Sequence, residues 1–499
     1  MPLSADGLPW GVWLAAGALT GVLLVFAGRF GFHRDELYFV EAGRHPAWGY
    51  PDQPPLVPLV ARLWYDASGG GLVAFRMVPA VLAGAVVVVA AAISRELGGS
   101  RRDRVGTAVV TACSALVVAV GHLFSTATFD LLGTAVVLLL LVRALGRPPG
   151  ADLRAWLWAG LAAGVTLQVK TLLGTVLVAV LAGLLAVGPR APLRRPGPWL
   201  GALVAALIGA PNLAWQAANR WPQLELGRQI AAGSSTTSVD RPLVVPMQVL
   251  ILGPVTGVVV VVGLVALLRS ARLRPYRWLG VAYLVQLAVV VASGGKPYYT
   301  GGFLLVLIAA GTPPVLDLAA RSRALAVVSG VVFAGHVAAT AIVTLPLTSP
   351  GSPVTAFANE VNPDIGETVG WDRFVATVSR VAAQVPADQR ATAIVLTSDY
   401  AEAAPLDRAR DQDHGRLPVY SGHNGYGDWG PPPETVATAI LVGYTSGPEP
   451  DRWFRNCRHA ATIDNGVGLD NEEQGAAVRI CTTPTRTWTD LWPEIRHLG

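Results

Sequence analysis

The sequence predicts an α-helical polytopic membrane protein with about eleven transmembrane helices and a C-terminal extracytoplasmic α/β domain. Two observations predict this fold class. Of the 499 residues, 52% are hydrophobic and only 14% are charged, whereas soluble domains carry about 25% charged residues. The Val, Leu and Ala residues also form long uninterrupted blocks up to residue 345, and residues 349–499 contain no block of that kind. The expected domains are therefore 1–348 and 349–499.

Each apolar block of about 20 residues provides one tilted helix across a bilayer. The first block follows no basic segment, and no small-residue cleavage site clearly follows it, so we expect a retained span and no signal peptide. The expected spans are 10–28, 72–94, 105–121, 128–143, 155–169, 171–188, 199–211, 245–268, 278–293, 298–316 and 324–345.

Two blocks are too long for one crossing. Residues 156–187 would form a helix of about 48 Å, but the hydrocarbon core is about 30 Å thick. The block must therefore fold back, and its only charged residue, Lys170, marks the expected bend. Residues 105–142 need two spans with a turn near "GHLFSTATFD", whereas residues 245–268 suit a single tilted helix.

The arginines predict the orientation. Short basic segments such as "RELGGSRRDR", "RALGRPPGADLR", "GPRAPLRRPG" and "RSARLRPYR" alternate with the other loops, as the positive-inside rule requires. With a cytoplasmic N-terminus, loops 29–71 and 212–244 and the C-terminal domain lie outside the cytoplasmic membrane. The net charge of +5 is scattered among these segments and forms no basic groove, which argues against a nucleic-acid partner.

The C-terminal region has the pattern of a small α/β domain. The stretches "ATAIVLTSDY" and "TVATAILVGY" predict buried strands, and a helix is expected over residues 401–410. Cys457 and Cys481 lie in this region, where an exported compartment would permit a disulfide; two buried free thiols are the alternative. Cys113 falls within a span and is expected to contribute to packing.

The chain has two lysines, Lys170 and Lys296, and both map to outer helix ends. Each can simply extend to the lipid headgroups. Together, they indicate a pocket for an anionic group at the membrane surface, with Arg34 or Arg228 as further cations. The Gly294–Gly295 pair before Lys296 either lets the backbone approach a ligand or ends a helix.

The acidic pair Asp35–Glu36 follows the first span directly, in "FHRDELYFVEAGRHPAWGYPDQPPLVPL". One interpretation is that Asp35 caps a short helix along the interface. The other is that a partly buried Asp35 accepts a proton from an incoming nucleophile, with cations opposite to stabilise a phosphate leaving group. Glu36 would point away from Asp35 and pair with Arg34 or His33.

Other polar residues of the predicted outer face are further candidates. Asp52 either orients an acceptor or is an ordinary turn residue before the amphipathic segment 56–65. Asp130 is expected to cap the start of a helix and to have a functional role as well. His122 is expected to be an interfacial hydrogen-bonding residue. The sequence has no P-loop, no G-x-G-x-x-G after a strand and no close-spaced metal-ligand cluster. We expect no catalytic metal; a carboxylate-bound divalent ion is the alternative.

The acidic loop resembles the first external loop of family 39-type glycosyltransferases, which are integral-membrane enzymes of the GT-C fold. They are related to protein O-mannosyltransferases and to the aminoarabinose transferase of lipid A. In the same order along the chain, "STATFDLL", "GLAAGVTLQVKTLLG", "PNLAWQAANRWPQLE", "GGKPYYTGGFLLVL", "SDYAEAAPLD" and "YSGHNGYGDWGP" are also similar to this group. Gln53 departs from the pattern, because many relatives have His there, and any role of that His is in doubt.

The resemblance implies an inverting transfer of a sugar from a polyprenyl-phosphate carrier to an envelope glycan, lipid or protein acceptor outside the cytoplasmic membrane. Asp35 would be the general base, and Lys170, Lys296 and Arg228 would bind the donor phosphate. The remaining candidates for donor and acceptor binding are Glu36, Asp52, Gln53, Asp130, Tyr298 and Tyr299.

Two other classes of protein remain as alternatives. A lipid-linked sugar flippase or another transporter would commonly show paired repeats and ionisable residues near the membrane midplane. The sequence shows no clear repeat, and its acidic residues lie at the outer edge. A receptor or scaffold anchored by the membrane region is the second alternative, although a single span would suffice as an anchor.

Overall fold

The computed structural model describes residues 7–146, 153–233, 239–413, 415–444 and 449–499. The chain divides into two compact units. The first consists of Met1–Ala27, Arg76–Asn219 and Ile230–Leu345, and the second of Gly28–Phe75, Arg220–Gln229 and Pro346–Gly499. This division differs from the predicted boundary between residues 348 and 349, because the first external loop is grouped with the C-terminal region.

Most of the described residues are helical. Short 3-10 helices occupy Ala191–Arg194, Arg241–Leu243, Arg274–Tyr276, Pro297–Thr300 and Pro363–Thr368. In chain order, the α-helices are α1 (Trp10–Phe26), α2 (Arg34–Ala42), α3 (Leu56–Ala67), α4 (Leu72–Glu96), α5 (Arg101–Ala112), α6 (Ala115–His122), α7 (Thr126–Gly146), α8 (Leu153–Leu167), α9 (Leu173–Val187), α10 (Pro196–Ala218), α11 (Pro222–Ala231), α12 (Val244–Leu252), α13 (Pro254–Arg269), α14 (Arg277–Ser293), α15 (Gly301–Ala319), α16 (Arg323–Thr344), α17 (Pro353–Val361), α18 (Trp371–Ala382), α19 (Ala387–Arg390), α20 (Tyr400–Gln412), α21 (Asn424–Asp428), α22 (Glu449–Trp453) and α23 (Trp488–Ile495).

The first unit contains the apolar helices, and the prediction of a polytopic helical membrane protein is confirmed. By length and composition, six described helical segments can cross a membrane, or up to eight if each of two bent pairs is one span. The helices α1, α8 and α9 are apolar but shorter, with 17, 15 and 15 residues. The count of eleven spans therefore stays a prediction, and part of the predicted basic loop "RALGRPPGADLR" (147–152) lies outside the described residues.

The break predicted at Lys170 is present, whereas the prediction of a single tilted helix for residues 245–268 is wrong. Helix α8 ends at Leu167 and α9 begins at Leu173, with Lys170 between them. The second region is a pair of helices bent by 117°. Its cause is local: Gly253 has φ +81°, a conformation that favours glycine, and Pro254 at the next position cannot continue the preceding helix. A further bend of 57° separates α5 from α6.

The second unit contains a five-stranded mixed sheet in the order β2-β1-β3-β5-β4. The strands are β1 (Ala393–Thr397), β2 (Val419–Ser421), β3 (Thr438–Val442), β4 (Phe454–Thr462) and β5 (Ala477–Pro484). Strand β1 pairs in parallel with β2 and β3, and β5 pairs antiparallel with β3 and β4. Both strands predicted from the sequence are present as β1 and β3, and every residue of each is buried. The predicted helix 401–410 is present within α20.

Apolar cores cover both faces of this sheet. Phe374, Val378 and Val381 of α18 pack on one face, and Trp488 and Trp492 of α23 pack on the other. Cys457 and Cys481 face each other across β4 and β5 and form a disulfide, so the alternative of two free thiols is wrong. Because both faces of the sheet are covered at β1 and β3, these two strands are continuous apolar runs.

Helices α2 and α3 of the first loop belong to the same unit as this sheet, and α2 packs against α20. Two hydrogen bonds fix the loop before α2: the Gly31 amide donates to the Thr368 carbonyl at 2.8 Å, and the indole N–H of Trp371 donates to the Phe32 carbonyl at 3.0 Å. The acidic pair of the sequence thus lies on a helix that is held by the C-terminal region.

Candidate active site

The first turn of α2 shows that Asp35 is not the helix cap. His33 is the N-cap residue, and its Nδ1 accepts a hydrogen bond from the Asp35 amide at 3.2 Å. Glu36 completes the capping box, because its carboxylate accepts from the His33 amide at 2.8 Å. Glu36 is completely buried, so its role at this position is structural. The side chain of Asp35 is thereby left for other contacts.

Asp35 is held by a residue of the C-terminal region. The hydroxyl of Tyr400, the first residue of α20, donates a hydrogen bond to Oδ1 of Asp35 at 2.9 Å. Burial, followed by the charge of Asp35, raises the pKa of Tyr400 well above its usual range, so the phenol keeps its proton and acts as the donor. No described residue donates a hydrogen bond to Oδ2 of Asp35.

Asp52 is held in the same way by a second tyrosine. The hydroxyl of Tyr38 donates to Oδ1 of Asp52 at 3.0 Å and accepts from the Gly425 amide at 3.1 Å. The rings of Tyr38 and Tyr400 are in contact, with centroids 4.4 Å apart. Burial raises the pKa of Asp52 to about 7, with a smaller contribution from the charge of Asp35. The two carboxylates therefore belong to one local cluster.

Gln53, next to Asp52, has a buried side chain that is 3% exposed. Neither its amide nitrogen nor its amide oxygen has a hydrogen-bond partner among the described residues. Burying a polar amide without a partner is unfavourable, and such groups in native structures call for an explanation. An incoming polar ligand would provide the partners that this amide lacks.

The first turn of α20 is fixed by an ion pair. Asp399 caps the helix and its carboxylate lies 3.0 Å from Nδ1 of His423. Burial opposes the charge of His423, but the Asp399 carboxylate outweighs this effect and raises the pKa of the imidazole. Burial likewise opposes the charge of Asp399, and His423 lowers the pKa of that carboxyl below its ordinary value. The Tyr400 ring contacts the His423 ring at 4.9 Å, so this pair supports the tyrosine that holds Asp35.

Arg34 joins α2 to two acidic residues of the C-terminal region. Its guanidinium forms an ion pair with Glu472 and lies 3.7 Å from the buried carboxylate of Glu367. Of the two partners expected for Glu36, His33 is the one that the capping box shows, through its backbone amide. Arg34 and the His33 cap therefore hold α2 in position within the second unit.

Lys170 and Asp130 form a separate group in the first unit. The ammonium of Lys170 lies over the rings of Tyr299 and Tyr298, 4.5 and 5.3 Å from their centroids. Asp130 accepts a hydrogen bond from the Thr134 hydroxyl at 3.2 Å, and the opposite charges of Asp130 and Lys170 attract each other. Since α7 begins at Thr126, Asp130 lies one turn inside the helix, and its expected role as a cap is wrong.

The other two predicted cations have different surroundings. Lys296 is half-buried and is the N-cap residue of the 3-10 helix Pro297–Thr300, and Gly294, with φ +66°, ends α14 in the left-handed conformation. Arg228 is 77% exposed and pairs with Glu225 on the same helix at 3.0 Å. Of the three predicted phosphate-binding residues, Lys170 therefore lies against two tyrosine rings, whereas Arg228 is exposed at the surface.

Comparison with known proteins identifies the architecture. Residues 52–215 match the family model described as dolichyl-phosphate-mannose-protein mannosyltransferase. ArnT from Cupriavidus metallidurans in the apo state superposes with a TM-score of 0.60 at 16% identity, over 94% of this chain and 97% of that one. The structure of the same protein bound to undecaprenyl phosphate gives a TM-score of 0.57 at 16% identity, over 95% and 98% of the two chains. The chain has the GT-C fold.

A third structure agrees. The arabinofuranosyltransferase AftD from Mycobacteria matches 97% of this chain with a TM-score of 0.51 and 13% identity, although the chain spans only 40% of AftD. No curated protein matches the chain significantly. The predicted resemblance to GT-C glycosyltransferases is confirmed, and at these identities the solved structures establish the fold.

Tyr400, His423 and Gly425 are components of the Asp35 cluster that sequence reasoning missed. They lie 365 or more residues from Asp35, and no spacing rule connects them to it. The available signal was that "SDYAEAAPLD" and "YSGHNGYGDWGP" are similar to other GT-C proteins. Nothing in the sequence distinguishes Tyr38 from a packing residue, because a tyrosine on a short amphipathic helix usually packs.

Among the described residues, no three His, Cys, Asp or Glu side chains lie together as metal ligands. Asp35 and Asp52 are each bound by a tyrosine hydroxyl instead.

Proposed function

We propose that the protein is an inverting glycosyltransferase that transfers a sugar from a polyprenyl-phosphate carrier to an acceptor hydroxyl or other nucleophile at the outer face of the cytoplasmic membrane. The observation that carries the proposal is the Asp35 carboxylate, oriented by Tyr400 at the start of α2. The GT-C fold and the undecaprenyl phosphate bound by ArnT support the class of donor.

In the proposed reaction, Asp35 acts as the general base. The acceptor O–H donates to Oδ2 of Asp35 and loses its proton to that carboxylate as its oxygen attacks the anomeric carbon of the sugar. The bond between the anomeric carbon and the phosphate oxygen breaks on the opposite side, so the configuration inverts. The polyprenyl phosphate leaves with the electron pair of that bond, and the proton remains on Asp35 until solvent removes it.

In the proposed reaction, Lys170 binds the phosphate group of the donor. A phosphate leaving group gains negative charge in the transition state, and a positioned cation stabilises this charge. The tyrosine rings that flank Lys170 hold its ammonium by cation–π attraction, and Asp130 adds electrostatic attraction to Lys170. Lys296 and Arg228 are assigned as auxiliary phosphate-binding residues. No metal is assigned to the reaction, and transfer is expected to persist in excess EDTA.

Asp52 and Gln53 form hydrogen bonds with hydroxyl groups of the substrate in the proposed reaction. Gln53 offers a buried amide donor and acceptor that lack described partners, and Asp52 carries a carboxyl whose pKa is raised to about 7 by burial. Sugars present dense arrays of hydroxyl groups, which are suited to both. The acceptor is an envelope glycan, lipid or protein.

The proposed location of the C-terminal domain is extracytoplasmic. Two observations support it: the basic segments alternate with the other loops, and Cys457 and Cys481 form a disulfide. Disulfides persist in oxidising compartments outside the cytoplasm.

A transfer assay tests the proposal. Purified full-length protein is incubated with a panel of radiolabelled polyprenyl-phosphate sugars and a host membrane extract, and the release of label from the lipid is measured. The wild type and Asp66→Asn are expected to transfer label, whereas Asp35→Asn is expected to bind donor without transferring it. Asp66 is a matched control, since it lies on α3 of the same loop and its carboxylate pairs with Arg62 at the surface.

Two results would contradict the proposal. Equal activity of Asp35→Asn and the wild type would remove Asp35 as the base and make Asp52 the next candidate. Movement of intact labelled lipid across a reconstituted bilayer, without consumption of donor, would identify a flippase.

A further inference from the structure

The second unit contains a cavity of about 620 Å³. It is lined by the chain before and within α2, the first turns of α18, the second half of α20, and Asn465 and Val467. Neither Asp35 nor Tyr400 nor Asp52 is among its lining residues. The volume falls within the range of about 300–1,000 Å³ typical of sites for small molecules. The cavity is therefore large enough for a ligand of its own.

Three arginines, Arg373, Arg408 and Arg416, line this cavity together with a single acidic residue, Asp372. The lining thus has an excess of positive charge. Guanidinium groups bind phosphate and carboxylate through paired hydrogen bonds, and they do so best where water is partly excluded. This charge balance favours an anionic ligand.

The charge of Arg408 is not neutralised by the protein around it. Its Nε donates to the Tyr65 hydroxyl at 3.1 Å, and its guanidinium lies 4.9 Å from the centroid of the Phe32 ring. Both partners are neutral, and no carboxylate of the described residues forms an ion pair with Arg408. The two contacts orient the guanidinium and leave its positive charge available.

Arg416 has an unused donor. Its Nε is buried and has no hydrogen-bond partner among the described residues. The Asp413 carboxylate is 3.7 Å away but 63% exposed to solvent, and another guanidinium nitrogen donates to the Ser379 hydroxyl. A buried N–H without a partner is costly, and a bound anion would remove that cost.

The wall also contains apolar side chains, which include Phe32, Leu37, Trp371, Val375 and Pro405, beside the polar residues Thr368, Gln412 and Asn465. We infer that this cavity binds a small amphiphilic anion, which places a phosphate or carboxylate group among the three arginines and an apolar group against Phe32 and Trp371. The site goes beyond the proposed sugar transfer and does not depend on it.

Calorimetric titration with phenyl phosphate tests this site directly. The full-length protein is placed in phosphatidylcholine nanodiscs, so that the surrounding lipid carries no net charge, and inorganic phosphate and phenol are titrated as the separate halves of the probe. Phenyl phosphate is expected to bind, and to bind about tenfold or more tightly than either half, because it uses both the arginines and the apolar wall.

Charge-matched variants locate the binding. Arg373→Gln/Arg416→Gln is expected to weaken phenyl phosphate binding about tenfold or more. Arg455→Gln/Arg458→Gln removes the same two charges from exposed positions of β4 in the same unit and is expected to bind like the wild type. Ala376→Glu provides an independent test that leaves every arginine in place, because it adds a negative charge to the cavity lining on the exposed side of α18.

Three results would overturn the inference: no phenyl phosphate binding by the wild type, equal weakening by both arginine pairs, or unchanged binding in Ala376→Glu. A second set of nanodiscs that contain phosphatidylglycerol identifies the source of the anion. Weaker phenyl phosphate binding in those discs would show that a lipid headgroup occupies the site, and unchanged binding would show that the ligand is a free anion. Either of these two results supports the cavity as an anion site.

Discussion

The Tyr400 hydroxyl and Oδ1 of Asp35 lie 2.9 Å apart in a hydrogen bond between α20 and the first turn of α2. The bond holds one carboxylate oxygen of Asp35, and no described residue donates a hydrogen bond to the other. His423 pairs with Asp399 and contacts the Tyr400 ring. The orientation of Asp35 therefore depends on residues of the C-terminal region. Such support preorganises a catalytic group.

The first prediction concerns Tyr400→Phe. Removing the hydroxyl leaves the ring packing intact but frees the Asp35 carboxylate to rotate. A hydrogen bond to a charged group contributes about 1.5–3 kcal/mol, which corresponds to a loss of roughly tenfold to a hundredfold in kcat. The KM for the donor is expected to change little, and initial rates over a range of donor concentrations separate the two parameters.

Tyr444→Phe is the control for Tyr400→Phe. It also removes one phenol hydroxyl from the same unit, where Tyr444 donates to the Thr397 carbonyl at 3.1 Å. Its kcat is expected to match the wild type. A similar fall in kcat for both variants would mean that loss of any hydroxyl in this region perturbs the fold, and Tyr400 would then have no specific effect on Asp35.

The second prediction concerns pH and Asp52. Because burial raises the pKa of this carboxyl from 3.8 to about 7, the folded protein holds a proton that the unfolded chain has lost between these values. The stability that Asp52 contributes is therefore complete below about pH 4 and is lost as the pH rises through about 7. Asp52→Asn retains an acceptor for Tyr38 and cannot ionise.

The measurement is the thermal unfolding temperature of wild type and Asp52→Asn from pH 4 to pH 8. The variant is expected to equal the wild type at pH 4 and to exceed it at pH 8 by about 2–4 °C, the shift produced by about 1 kcal/mol in a unit of this size. Asp66→Asn, at the surface of the same loop, should show no such pH-dependent gain. A constant difference across the pH range would show that Asp52 titrates normally.

The third prediction compares three substitutions that each remove one positive charge. Lys170→Gln is expected to raise the donor KM about tenfold or more, because the ammonium is half-buried against Tyr298 and Tyr299. Arg228→Gln is expected to change it less than about twofold, since this side chain is 77% exposed and paired with Glu225. Lys296→Gln should lie between them. Initial rates over a range of concentrations of the labelled polyprenyl-phosphate sugar check the order, and a larger effect at Arg228 than at Lys170 would contradict the assignment of Lys170.

Local physical chemistry explains which parts of this structure the sequence predicts. The strands β1 and β3 were predictable because a strand covered on both faces requires a continuous apolar run. The bend at Lys170 was predictable because a single helix over residues 156–187 would be longer than the hydrocarbon core is thick. The sharper bend at Gly253 was missed, since an apolar run gives no sign of the change in direction that a Gly-Pro pair permits. Asp35 was identified from its position after the first span and from family resemblance. Its partner Tyr400 is 365 residues away, and only the tertiary fold brings the two together.

The last prediction concerns the Cys457–Cys481 disulfide. Strand β4 lies at the edge of the sheet and pairs only with β5 in the described sheet order, so the disulfide is a covalent link between an edge strand and the core. With a sequence separation of 24 between the cysteines, the loop-closure model gives a stabilisation of about 3 kcal/mol. Cys457→Ser/Cys481→Ser is therefore expected to unfold at a temperature lower by roughly 6–12 °C, and a reducing agent should lower the wild type to the same value. Cys113→Ser is the matched control, because Cys113 is a free thiol and its loss should leave the response to reductant unchanged. If reductant destabilises the double serine variant as much as the wild type, its effect does not act through this bond.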